Sequence, residues 1–124
     1  MPHSSYRSHE GDDEIACMYY WLGRELVGAR TEDVLQCANE LSSRCGGVPV
    51  EVVAEGRAAI PAAHARFLEP GLVASLSLAS PPPSWHEVLA DESVRTTYAD
   101  CVQAALGHYD WTDLLTKSDK VNEK

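Results

Sequence analysis

The chain has 124 residues, a formal charge of -9 and 44% hydrophobic residues, which leaves room for one domain with one modest core and excludes a disordered chain. Ten Lys and Arg stand against nineteen Asp and Glu and form no basic run, so neither a nucleic acid nor an anionic membrane surface is an expected partner. No apolar run reaches the ~18 residues that a membrane span needs, and the opening MPHSSYRSHEGDDE is polar where a secretory signal is apolar, so a cytoplasmic location is expected.

In chain order, residues 1–11 mix His, Ser, Arg and Gly without periodicity and read as an N-terminal tail. Asp12, Asp13 and Glu14 suit the first turn of a helix over 12–22 that Gly23 stops, although the dense apolar and aromatic content of Ile15 to Leu22 would also suit a strand. Thr31 can cap a second helix with Val34, Leu35, Ala38 and Leu41 on its apolar stripe, closed by Gly46 and Gly47. The β-branched run VPVEVVAE from Val48 predicts a strand, EGR a sharp turn, and AAIPAAHARFLEP a helix that tolerates Pro61 only in its first turn. Leu72 to Leu78 predicts a second strand, parallel to the first because a helix of this length connects them.

Pro81 to Pro83 read as a rigid turn, and Ser84 with Glu87 as the capping box of a short helix. A further helix is expected over 93–106, with Val94, Tyr98, Cys101, Val102 and Ala105 on one side, and YDWTDLL adds a turn or short helix anchored by Trp111 and Leu114. The stretch 116–124, TKSDKVNEK, reads as a polar C-terminal tail, which leaves one α/β domain over 12–115. Two parallel strands make a very narrow sheet, since such sheets are normally buried on both faces among several neighbours. The piece therefore dimerises through its strand edges, takes its partners from elsewhere, or is the remnant of a larger sheet.

The segments YYWLGRELVGARTEDVLQCANEL, VEVVAEGRAAIPAAHA, SLASPPPSWHEVLAD and HYDWTDLL resemble the middle of an α/β-hydrolase, nearest to the acetyl xylan esterase-like and dienelactone hydrolase-like branch related to prolyl oligopeptidase-type peptidases. The resemblance spans roughly residues 15–115 and implies a partial three-layer α/β/α fold, with a short parallel sheet flanked by helices. In that superfamily a GxSxG turn presents the nucleophilic serine between strand and helix. The matching segment is Ala54, Glu55, Gly56, Arg57 and Ala58, with Gly56 at the nucleophile position and no side chain to attack an acyl carbon. None of His64, His86 and His108 occupies the family's catalytic position, and the strands that would carry the acid and the histidine would lie beyond residue 115. What the resemblance implies is a degenerate, incomplete serine hydrolase fold, inactive alone and left with a structural or binding role. The alternatives are an ester or peptide hydrolase fragment active only in a longer parent or an assembly, and a small homodimeric interaction module.

Other chemistry-bearing residues carry less. Glu55 sits one position early for a covalent nucleophile, and Ser75 and Ser77, which share a strand face, read as small residues packed under a helix. Trp85, Trp111 and the run Tyr19, Tyr20, Trp21 read as core and helix-docking aromatics before they read as a carbohydrate platform. His108 with Asp110 and Asp113 lacks a third ligand, and Cys17, Cys37, Cys45 and Cys101 show no zinc spacing. The cysteines are expected to be buried reduced thiols, with no metal and no cofactor.

Overall fold

The structure, a computed structural model, describes residues 10–94, 96–117 and 119–122. Its elements are α1 (Glu10–Trp21), α2 (Leu26–Arg44), β1 (Val50–Glu55), α3 (Ala59–Leu68), β2 (Val73–Ala79), α4 (Trp85–Ala90) and β3 (Lys120–Asn122). Short 3-10 turns cover Gly56–Ala58, Tyr98–Asp100, Ala105–Gly107 and Trp111–Leu114. The three strands form one sheet in the order β1-β2-β3, and both pairings are parallel. Among the described residues no helix is long and apolar enough to cross a membrane.

The sheet is an amphipathic layer. Val52, Ala54, Leu76 and Leu78 point to the helical side and Glu51, Val53 and Glu55 to the other, since side chains alternate along a strand and paired residues share a face. Leu76 and Leu78, each 1% exposed, contribute about 1.5–3 kcal/mol apiece relative to leaving them in water. They pack with Ala54, Ile60, Trp85, Trp111 and Leu114 in the main core. On the helical side, α3 turns Ala59, Ala62, Ala63 and Ala65 inward, all buried; a face of bare Cβ atoms lets a helix lie close to the strands and to α2. Val53 is 79% exposed, so the opposite face is open there and the α/β fold is partial.

Several boundaries differ from expectation for identifiable reasons. The second helix starts at Leu26, five residues before Thr31, because Leu26 and Val27 are buried and draw the chain into the helix. Thr31 is an interior residue, with its hydroxyl donating to the Val27 carbonyl at 2.8 Å. Only Ala38 of the expected apolar stripe is fully buried, and Leu41 is 54% exposed.

No α-helix forms over 93–106 among the described residues; the segment is loop with two 3-10 turns. Distant groups take its backbone donors: Asp13 accepts the Ala99 N–H at 2.9 Å and Glu25 the Gln103 N–H at 3.1 Å, while Ala104 sits at φ 59°. Such tertiary partners override the modest helix propensity of the segment.

The C-terminal stretch is no tail where it is described. The Asp119 carboxylate accepts from the N–H (2.8 Å) and hydroxyl (3.1 Å) of Thr116, and this turn aims Lys120–Asn122 along the free side of β2, Ser77 to Lys120 and Ala79 to Asn122. At the other end, helix α1 already includes residues 10 and 11, whereas the tail expected over residues 1–9 lies outside the described residues. The cysteines are free as expected, but Cys17, Cys37 and Cys45 are exposed and only Cys101 is half-buried, so the expected burial does not hold for the first three.

Candidate functional site at the strand-to-helix elbow

The five residues singled out in sequence stand together at the C-terminal end of β1. Ala54 is buried on the helical side of the sheet and Glu55 ends the strand at φ -119°, ψ 139°. At Gly56 the backbone swings to φ 59°, and by Ala58 and Ala59 it is right-handed helical, at φ -63° and -58°. A strand that enters a helix through one residue at positive φ exposes that residue at the tip of the turn. The reversal favours glycine, because an L side chain there crowds the neighbouring carbonyl. Beyond that crowding there is room, since a Cβ built on Gly56 meets no atom within 4 Å.

The flanking residues are not arranged for nucleophilic chemistry. The Glu55 side chain is exposed, on the open side of the sheet. Arg57 is tied down: Nε donates to Asp100 Oδ2 at 2.6 Å, Nη2 to the Thr97 hydroxyl at 3.1 Å, and Nη1 lies 3.3 Å from Asp12 Oδ2. The hydrogen bond to Asp100 raises the guanidinium pKa above its ordinary value, against a smaller opposing effect of burial. Asp12 titrates below the usual carboxylate range, chiefly through its bond to Arg30, which lies 3.0 Å away. Arg57 thus holds α1 and the 97–100 turn to the elbow, and its charge is spent on that fastening.

The histidines are likewise engaged or remote. The Ile60 carbonyl can only accept, so His64 Nδ1 carries the proton and donates to it at 2.7 Å, leaving Nε2 to accept from the Tyr109 hydroxyl at 2.8 Å. Both ring nitrogens are satisfied in the neutral form, and burial lowers the His64 pKa below its ordinary value. Trp85 and Tyr109 pack around this imidazole, with the two rings edge-on at 5.8 Å. His86 donates from Nδ1 to Asp110 at 2.8 Å, whereas His108 is exposed. Asp110 serves α4 and accepts from the backbone of Trp85 and His86 at 3.0 and 2.9 Å. Among the described residues no three His, Cys, Asp or Glu side chains converge as a metal site.

Ser75 and Ser77 are half-buried on the open side of the sheet, not under a helix. Trp85 and Trp111 are core residues at 6% and 1% exposure, while Trp21 is 82% exposed. Reading the sequence did not find the Arg57, Asp100 and Asp12 fastening or the His64 and Tyr109 pair. Arg57 and Asp100 lie 43 residues apart, and His64 and Tyr109 lie 45 apart; no local spacing links such residues. In comparisons with known proteins, no family model matches the chain, nor does any curated protein or any solved structure.

Proposed function

We propose that this chain is a catalytically silent α/β-hydrolase-like protein whose remaining role is to bind a partner. The observation that carries the reading is Gly56: the residue at φ 59° between β1 and α3 is the one that would present a nucleophile, and it has no side chain. Supporting it, β1, α3 and β2 form a parallel strand, helix, strand unit, and β3 extends the sheet on the side of β2. The groups nearest in kind to a base are in use, His64 by Ile60 and Tyr109 and His86 by Asp110. The net charge of -9 favours a protein partner over a nucleic acid. The four unpaired cysteines fit a reducing compartment, so a cytoplasmic location belongs to the same proposal.

The test is hydrolysis of p-nitrophenyl acetate by the purified protein and by Gly56→Ser. Both are expected to match buffer, because a serine at the elbow would still lack a base to take its proton. Saturable turnover by the unaltered protein would overturn the proposal.

A further inference from the structure

Strand β1 is an outer strand of the sheet. The Val50 N–H donates to the Leu72 carbonyl at 2.8 Å, so it faces β2. The register shifts between Val50 and Glu51, but the Ser80 N–H donates to Asn122 of β3 at 2.9 Å, so by alternation Ser75, Ser77 and Ala79 face β1 and bond around Val52 and Ala54, and the groups of Glu51, Val53 and Glu55 face away from β2. Among the described residues no strand lies on this side of β1; the Glu55 carbonyl closes the 3-10 turn at Gly56–Ala58, which leaves the backbone groups of Glu51 and Val53 and the Glu55 N–H. Native proteins cover such edges or guard them with Lys, Pro or bulges that turn them aside; β1, VEVVAE, contains neither Lys nor Pro, and its register irregularity lies at its start, between Val50 and Glu51.

The surroundings of this edge have two distinct chemistries. On the helical side a groove of about 420 Å3 runs between α2 and β1, with Val34, Leu41 and Val52 among its mostly apolar walls and Asp33, Glu51 and Val53 also in its lining. On the open side the exposed carboxylates of Glu51 and Glu55 flank Val53. A strand laid along the edge would send alternate side chains to these two sides.

We propose that the β1 edge accepts an extended segment of another protein as an additional strand, and that this segment alternates apolar with basic side chains. The apolar ones fill the groove against Val34 and Leu41; the basic ones lie over Glu51 and Glu55. Backbone bonds to Glu51, Val53 and the Glu55 N–H supply affinity without regard to sequence, and the two sides supply selectivity. The inference rests on the binding role proposed above and not on the esterase kinship. A second copy of this chain is disfavoured as the occupant. Two-fold antiparallel pairing of β1 with itself along its whole length sets each Glu51 opposite the other copy's Glu55, and like charges across a strand pair repel.

The experiment uses a fluorescein-labelled peptide of alternating valine and lysine and its valine and glutamate counterpart, titrated with the full chain by fluorescence anisotropy. Saturable binding of the lysine peptide alone, weakening as salt rises, is the expected result. Val53→Pro removes an outward N–H and leaves the inward groups of Val52 and Ala54 in place, so it abolishes binding with the circular dichroism spectrum retained. Should that variant misfold, the exposed double substitution Glu51→Lys with Glu55→Lys serves. It weakens the lysine peptide by roughly tenfold and lets the glutamate peptide bind.

Failure of both peptides to bind, equal binding of both, or a folded Val53→Pro that still binds would each overturn the proposal. So would a concentration-dependent dimer by light scattering that Val53→Pro dissociates, which assigns the edge to a second copy. Ester hydrolysis measured on the same preparations separates the two claims: turnover overturns catalytic silence alone, and absent peptide binding without turnover overturns the docking edge alone.

Discussion

Replacing Asp110 by alanine removes the carboxylate that accepts from Trp85 N–H, His86 N–H and His86 Nδ1, at 3.0, 2.9 and 2.8 Å. Asp110 is 3% exposed, and its loss orphans the first two N–H groups of α4. The His86 ring is 68% exposed, so its ion pair adds little. A backbone donor left without a partner costs about 1–3 kcal/mol, and water can reach the His86 side, which puts the whole effect at about 2–4 kcal/mol. That is a large share of the ~5–15 kcal/mol that holds a domain folded.

Burial pushes the Asp110 pKa up, but the bonds from His86 and Trp85 outweigh it and leave the group below 3.8. The sign follows: with the folded pKa lowered, this stabilisation is complete above pH ~4 and is lost as pH falls through the folded value. Urea denaturation at pH 7 should show Asp110→Ala unfolding at lower urea with an unchanged slope, and Asp110→Asn, which keeps one accepting oxygen, in between. The gap between the alanine variant and the parent should narrow below pH 4. A loss under ~0.5 kcal/mol at pH 7 would refute the assignment of Asp110 as the clamp of α4.

Gly56→Ala should cost about 1–2 kcal/mol, all from the backbone at φ 59° and none from collision, since the added Cβ meets nothing within 4 Å; no change in the urea midpoint would place the elbow elsewhere. Because burial lowers the His64 pKa below 6.5, the folded state favours the neutral ring, and stability should decline as pH falls below about 6.5. His64→Gln should flatten that decline in urea titrations between pH 7 and 5, and an unaltered slope would contradict it. Ala63 is fully buried on α3, so Ala63→Leu should overpack the helix against the core and cost about 1–3 kcal/mol, read as a lower melting temperature.

The elbow was legible in sequence because each of its parts is local. Val50 to Ala54 are mostly β-branched, Gly56 supplies the reversal, and the alanines with an early Pro61 start a helix. The Ser84 and Glu87 capping box was legible for the same reason, and it forms with Glu87 N–H donating to the Ser84 hydroxyl at 3.2 Å. The parallel pairing of β1 with β2 followed from the length of the connecting helix.

What failed was everything decided at long range. The 93–106 segment has helical spacing of apolar residues, yet Asp13 and Glu25, 86 and 78 residues away, claim its N–H groups. Lys120 and Asn122 are polar and make the stretch look like a frayed end, but a sheet edge offers backbone partners that composition does not reveal. The site was legible only as an absence: Gly56 shows in sequence that a nucleophile is lacking, whereas the fastening of Arg57 by Asp100 and Asp12 requires the folded chain.

Catalytic silence is tested most directly by intact-mass analysis of the folded protein after exposure to an excess of a fluorophosphonate ester, which phosphonylates activated serines whatever their natural substrate. The expected spectrum shows only the unmodified chain. A single stoichiometric adduct, traced by peptide mapping to Ser75, Ser77, Ser80 or any other hydroxyl, would contradict the account by revealing a working nucleophile away from Gly56.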